Sequence, residues 1–214
     1  MSKTTACLVD VYETLLAYDA RARFRNLATL ANVDAETWER DQLSLRPRRD
    51  RGELTMAESF ALTLTACGVD PSPELVGRLS TADRDFTDAY APLYDDSVAF
   101  LKELRSRGIL IALVSNCADN TRALLDARGL LPLADQVILS CEVKSAKPSP
   151  EIYLAALDAL GVPAQGAAMI DDQPGYLRGA EAVGVRGIQI VRDSQEPDPA
   201  FPAAGTLLDV LPLL

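Results

Sequence analysis

"ILIALVSN", residues 109–116, decides how this chain folds. Its six consecutive apolar residues lack period-two alternation, so the strand they form is buried on both faces, as in a parallel sheet covered by helices. The flanking segments agree. Ser97 to Arg107 reads as a helix capped by Asp95 or Asp96 and closed by Gly108, and Ala118 to Arg128 as the next helix. Further strands follow in "QVILS" (136–140), "AAMIDD" (167–172) and "GIQIV" (187–191). Between them lie the helix "SPEIYLAALDALG" (149–161), with Ser149 as cap, Pro150 first and Gly161 as stop, and a helix from Tyr176 to Val183. A short helix near Leu207 ends the chain, after the Pro-rich "EPDPAFPAAG" (196–205), which reads as a surface loop. Alternating strands and helices imply right-handed crossovers and an α/β fold, a Rossmann-like doubly wound parallel sheet.

The N-terminal part has a different texture. One strand runs from about Ala6 to Asp10, and then nothing strand-like occurs from Leu16 to Tyr90; that stretch reads as amphipathic helices. In "ELTMAESFALTLTACGVD" (53–70), Leu54, Ala57, Phe60 and Leu64 share one expected face and Gly68 is a stop. A helical insertion therefore separates the first strand from the rest of the sheet.

Composition narrows the function. The 214 residues are 48% hydrophobic, enough for a real core, and carry a net charge of −10, which disfavours nucleic acid as a partner. No apolar run approaches a membrane span and no signal-peptide layout is visible, so a cytoplasmic protein without a membrane partner is expected. The four cysteines are scattered without CxxC spacing and read as buried free thiols. The chain contains no histidine, which excludes a Ser/His/Asp triad, a Cys/His dyad and imidazole metal ligands. Carboxylates, lysine and hydroxyls must carry any chemistry.

In doubly wound sheets, ligands sit outside the carboxyl ends of the strands. Asp10 ends the first strand, Ser115 and Asn116 the second, Lys147 follows "VILSCEV", and Asp171 and Asp172 end "AAMI". Carboxylate, hydroxyl, amine and paired carboxylates thus arrive at one edge from four separate segments. With "DVYETL", "LVSN", "KPSPEIY" and "IDDQ" in this order and spacing, the chain resembles the haloacid dehalogenase superfamily over nearly its whole length. The resemblance implies a helical cap at about Ala17 to Ala91, with residues 1–16 and 92–214 as the core domain. It also implies Asp10 as nucleophile, Ser115 and Lys147 as binders of the transferred group, and Asp172, with Asp171, as carboxylates holding magnesium.

The chemistry is consistent with those roles. A carboxylate attacking a phosphoryl group needs positive charge in the site, which magnesium and a lysine supply together. Asp10, Asp172 and the backbone carbonyl of Tyr12 offer hard oxygen ligands. The expected function is hydrolysis of a small, anionic phosphorylated metabolite by a monomer or homodimer. Tyr12 stands where superfamily phosphatases usually have a second aspartate, and a phenol of pKa near 10 is a poor base at neutral pH. Tyrosine there is similar to the 2-haloacid dehalogenases, where the leaving halide needs no proton. A second reading is therefore a metal-free dehalogenase acting through an aspartyl ester, and a third is a non-catalytic relative that binds ligands. Paired aspartates without a metal would raise each other's pKa and repel a carboxylate substrate, which favours the phosphohydrolase.

Several residues are candidates for supporting roles. Glu13, next to Tyr12 where the motif usually has glycine, is a substitute acid, as are Glu53 and Glu58 in the insertion. Thr14 and Asn116 are candidate substrate contacts, more readily turn and strand-end hydrogen bonders. Arg40, Arg46, Arg48, Arg49 and Arg51 form a basic cluster suited to an anionic substrate; of these Arg40, beside Trp38, is the substrate-binding candidate. Tyr176 replaces the asparagine or aspartate of many relatives.

Overall fold

The computed structural model describes residues 4–192 and 196–214. Among them, strands β1 (Ala6–Val9), β2 (Leu110–Ser115), β3 (Gln136–Leu139), β4 (Ala167–Asp171), β5 (Arg186–Ile190) and β6 (Ala203–Ala204) form one parallel sheet in the order β3-β2-β1-β4-β5-β6. Every residue of β1 and β4 is buried. Their side chains alternate between two separate cores: Cys7, Val9, Ala168 and Ile170 on one face, Ala6, Leu8, Ala167 and Met169 on the other. Helices α5 (Ser97–Ser106), α6 (Thr121–Ala127) and α10 (Leu207–Val210) contribute to the first core; α8 (Pro150–Leu160) and α9 (Pro174–Ala182) contribute to the second. Each fully buried leucine here, such as Leu8 or Leu113, stabilises the fold by about 1.5–3 kcal/mol.

Between β1 and α5 lie α1 (Ala20–Ala31), α2 (Ala35–Asp50), α3 (Met56–Ala66) and α4 (Pro73–Tyr90). They pack around their own cluster, with Trp38 and Phe60 stacked 6.0 Å apart among Leu27, Leu64 and Leu79. Local sequence explains the ends: Asp19, Asp34 and Ser72 cap α1, α2 and α4, and Thr55 with Glu58 forms a reciprocal capping box at α3. The chain leaves and re-enters the sheet region through a narrow neck, where Ala17 N–H donates to the Pro92 carbonyl at 3.0 Å and Tyr94 N–H to that of Leu15 at 3.0 Å.

Some expectations need correction. The Pro-rich stretch holds β6, which pairs with the end of β5; two residues between Pro202 and Gly205 are too short to leave a periodic signal. Ser140, expected to end a strand, starts a short helix, α7 (Ser140–Val143). α6 begins at Thr121 rather than Ala118. Asp96 occupies the cap position of α5 without a side-chain cap bond, because its carboxylate takes two bonds from Arg192 and one from Leu207 N–H. In α3 the buried face is Met56, Ser59, Phe60, Thr63 and Leu64; Ala57 is exposed and Leu54 precedes the helix.

Candidate active site

β1 and β4 are neighbours, yet the chain runs outward from them in opposite directions, to β2 and to β5, which opens a crevice at their carboxyl ends. Val9 is level with Ile170, so one step further brings Asp10 beside Asp171. Asp10 N–H still donates to the Ile170 carbonyl at 2.9 Å, which holds the aspartate's backbone to the sheet. Carboxylate oxygens of Asp10, Asp171 and Asp172, all buried, lie within 4.8 Å of one another.

One ammonium sits in this cluster. Lys147, 3% exposed, donates from Nζ to Asp10 Oδ1 at 2.5 Å and to Asp171 Oδ2 at 2.7 Å, and lies 4.9 Å from the centroid of the Tyr176 ring. Burial works against its charge, but the two carboxylates outweigh burial and hold the lysine pKa above its usual value. Burial pushes the Asp171 carboxyl upward, with Lys147 opposing and Asp10 adding to the rise. The lysine backbone is clamped as well: Asn116 Nδ2 donates to its carbonyl at 2.8 Å and its N–H donates to Asn116 Oδ1 at 2.7 Å. The Lys147–Pro148 peptide is cis.

A cavity of about 390 Å³ opens above the cluster, lined at its base by Asp10, Asn116, Lys147, Asp172 and Tyr176 and on its far side by Arg23, Arg46 and Arg49 from α1 and α2. It thus lies between the sheet edge and the four helices. As donors, the three aspartates suit a hard divalent cation, magnesium above all. They are not equivalent. Both Asp171 oxygens are engaged, Oδ2 by Lys147 and Oδ1 by Gln173 N–H at 2.8 Å, whereas Asp172 lines the cavity and accepts from Gln173 Nε2 at 2.5 Å. Asp10 and Asp172 therefore fit a metal, and Asp171 serves the lysine.

A family model for haloacid dehalogenase-like hydrolases matches residues 4–184. The chain belongs to that family. It is 40% identical over 110 residues to the phosphoserine phosphatase of Thermus thermophilus, but that stretch is 50% of this chain and only 44% of the relative, so the likeness spans less than half of that protein. To (S)-2-haloacid dehalogenase 4A of Burkholderia cepacia it is 28% identical over 208 residues, 92% of this chain and 87% of the relative. A solved dehalogenase structure superposes with a TM-score of 0.71 at 25% identity, over 100% of this chain and 98% of that one. Among the described residues, no helix of this haloacid dehalogenase-like hydrolase is long and apolar enough to cross a membrane.

The other expected residues of the hydrolase fall into place unequally. Ser115 is fully buried at the end of β2, and among the described residues its hydroxyl has no partner; the Thr14 hydroxyl is likewise buried and unpartnered there, and neither residue lines the cavity. Tyr12 lines the cavity, but its hydroxyl bonds Thr121 Oγ1 at 3.1 Å, its ring packs 5.1 Å from Tyr18, and burial drives its pKa far above the ordinary phenol value. It stays protonated at neutral pH. Glu13 has φ 59°, in the left-handed region, which explains the usual preference for glycine there. Its carboxylate accepts from Tyr18 N–H at 2.7 Å and from Tyr94 Oη at 3.1 Å, so it ties down the turn rather than standing free as an acid. Glu53 pairs with Arg51 and Glu58 serves the capping box; both are exposed and outside the cavity lining. Arg40 is also exposed and outside the lining, because α2 brings Arg46 and Arg49, about two turns further on, to the cavity instead.

Several residues went unrecognised in the sequence. Arg23, 5% exposed, pairs with buried Asp83 at 2.5 Å, and Asp83 accepts from Asn120 Nδ2 at 3.0 Å, which joins α4 to the loop before α6. The available signal was its place on the apolar stripe with Leu27, four residues on. Arg192, 8% exposed, donates to the Thr14 carbonyl at 2.8 Å, pairs with Asp96 at 2.9 Å and stacks 4.0 Å from the Tyr94 ring centroid, which braces the turn after Asp10. The cysteines are free; Cys7, Cys117 and Cys141 are buried and Cys67 half-buried.

Proposed function

We propose that this hydrolase cleaves small phosphorylated metabolites through an aspartyl phosphate at Asp10, with the four helices as a cap over the site. The observation that carries the reading is the charge of the cluster: three buried carboxylates against one ammonium. An excess of negative charge in a low-dielectric site favours a divalent cation as counter-ion. Asp10 and Asp172, with the Tyr12 carbonyl, are its proposed ligands; magnesium bound there supplies positive charge to the transferring phosphoryl oxygens.

The remaining roles belong to the chain. Lys147 holds Asp10 Oδ1, which orients the carboxylate and leaves Oδ2 to attack phosphorus while the ester oxygen departs. The Ser115 hydroxyl, buried at the end of β2 and without a hydrogen-bond partner among the described residues, is the proposed donor to a phosphoryl oxygen that enters beneath the present cavity lining. Asn116 keeps Lys147 in position through its backbone. Water then hydrolyses the acyl phosphate and regenerates Asp10. Because Tyr12 and Glu13 are committed to other hydrogen bonds, the enzyme favours leaving groups that need little protonation, such as phenols, enols and carboxylates.

A 2-haloacid dehalogenase is the second reading, supported by Tyr12 and by the likeness to the Burkholderia enzyme along 92% of this chain. Phosphate and halide release decide between them, on matched panels with magnesium and with excess chelator. Magnesium-dependent phosphate release, lost in Asp10→Asn, is expected; chelator-insensitive chloride release from 2-chloropropionate would replace the phosphohydrolase with the dehalogenase.

A further inference from the structure

The cavity wall opposite Asp10 holds a cation that makes no ion pair among the described residues. Arg49 is 5% exposed, lines the cavity, and makes no ion pair among the described residues; its Nη1 donates to the amide oxygen of Gln42 at 3.1 Å. That amide is fixed in turn, because Gln42 Nε2 donates to Thr63 Oγ1 at 2.9 Å and to the Ser59 carbonyl at 3.2 Å. The neighbouring arginines are matched, Arg23 with Asp83 and Arg46 with Asp50 at 3.4 Å. Of the three arginines on this wall, Arg49 alone makes no ion pair among the described residues, with Asp50 acting on it only at longer range, so a single guanidinium is left for an outside anion. For stability alone, a methionine would pack the same apolar stem without a buried charge.

We propose that Arg49, flanked by Arg23 and Arg46, is a carboxylate subsite, so that the enzyme's substrates are small phosphate esters whose organic part carries a carboxylate. The inference rests on the phosphohydrolase reading. A single surplus charge matches a carboxylate rather than a second phosphate, which carries about −1.5 to −2 at neutral pH. Arg49 Nε and Nη2, which bond nothing among the described residues, are left for a planar anion, the geometry that a guanidinium fork recognises. Lys147 and a cation on Asp10 and Asp172 would attract the more highly charged phosphoryl group, so such a substrate enters in one orientation, phosphoryl group toward Lys147 and carboxylate toward Arg49. A volume of about 390 Å³ lies at the small end for ligand cavities, which suits a compact metabolite.

The test compares 3-carboxyphenyl phosphate with its neutral isostere 3-carbamoylphenyl phosphate, phenolic esters that require little help in leaving, in the presence of magnesium. In the wild type the carboxylated ester is expected to have a kcat/KM about 10- to 100-fold higher, the difference lying in KM. Arg49→Gln should bring that ratio close to one, and Arg49→Lys, which keeps the charge but loses the fork, should lower it several-fold. Equal kcat/KM in the wild type, or a ratio undiminished in both variants, overturns the subsite. If neither ester is hydrolysed, the phosphohydrolase reading falls and binding decides the subsite separately. In the Asp10→Asn protein, thermal stabilisation by the carboxylated ester alone, abolished by adding Arg49→Gln, would uphold it; equal stabilisation by both esters, or none, would overturn it.

Discussion

Replacing Asp83 by asparagine keeps the side chain's shape and removes one buried charge. Arg23 Nε then faces an amide where it had a carboxylate at 2.5 Å, in a pair whose side chains are 6% and 2% exposed. The amide also presents a donor to either Arg23 or Asn120 Nδ2, both of which are donors. Removing one partner of a buried pair costs about 3–5 kcal/mol, since the remaining charge stays out of water. Arg49 makes the loss worse, because Arg23 is a like charge that, after burial, lowers the Arg49 pKa, which is held down to about 10. For a chain of this size each kcal/mol moves Tm by about 2–4 °C, so Asp83→Asn should melt roughly 6–20 °C below wild type. Thermal and urea unfolding of Asp83→Asn, Arg23→Met and the double variant Arg23→Met/Asp83→Leu form the assay. The double variant, with no orphaned charge, should recover most of the lost stability. A drop smaller than about 2 °C in Asp83→Asn, or a double variant no more stable than either single one, would refute the reasoning.

Four further outcomes follow from the geometry. Lys147→Met leaves Asp10 and Asp171 without their ammonium and should lower kcat by about 10²–10³-fold, read by steady-state kinetics on protein shown to be folded by circular dichroism. Asp172→Asn should raise the magnesium concentration for half-maximal rate by about 10- to 100-fold, whereas Asp171→Asn should lower kcat with little change in that concentration; a magnesium titration of both variants separates the roles. Gly52→Ala places a methyl group against the Cys141 carbonyl and Lys144 Nζ at a φ of +60°, and should destabilise the protein by about 1–3 kcal/mol in urea titration. Arg192→Met should cost stability through the lost Asp96 pair and also lower kcat by loosening the turn that carries Asp10, which a kinetic comparison with Asp96→Asn can check.

What the sequence determined by itself was the sheet and its active edge. Long apolar runs such as "ILIALVSN" and "AAMIDD" carry strand identity locally, because burial on both faces demands hydrophobic residues at every position, and a polar residue at the end marks the rim. The positions of Asp10, Ser115, Lys147 and Asp172 were therefore legible, as was the interruption by helices. β6 was not legible, since two residues cannot show a period. Which charges meet was decided only in three dimensions. Arg23 and Asp83 are 60 residues apart, Lys147 and Asp10 137, and Arg192 and Thr14 178; no local pattern encodes such pairings. The division of labour between adjacent Asp171 and Asp172 likewise depends on which oxygens Lys147 and Gln173 already occupy. Among five clustered arginines, the helical turn of α2 selects Arg46 and Arg49 for the cavity and leaves Arg40 in solvent, because direction around a helix follows from how its apolar stripe is buried.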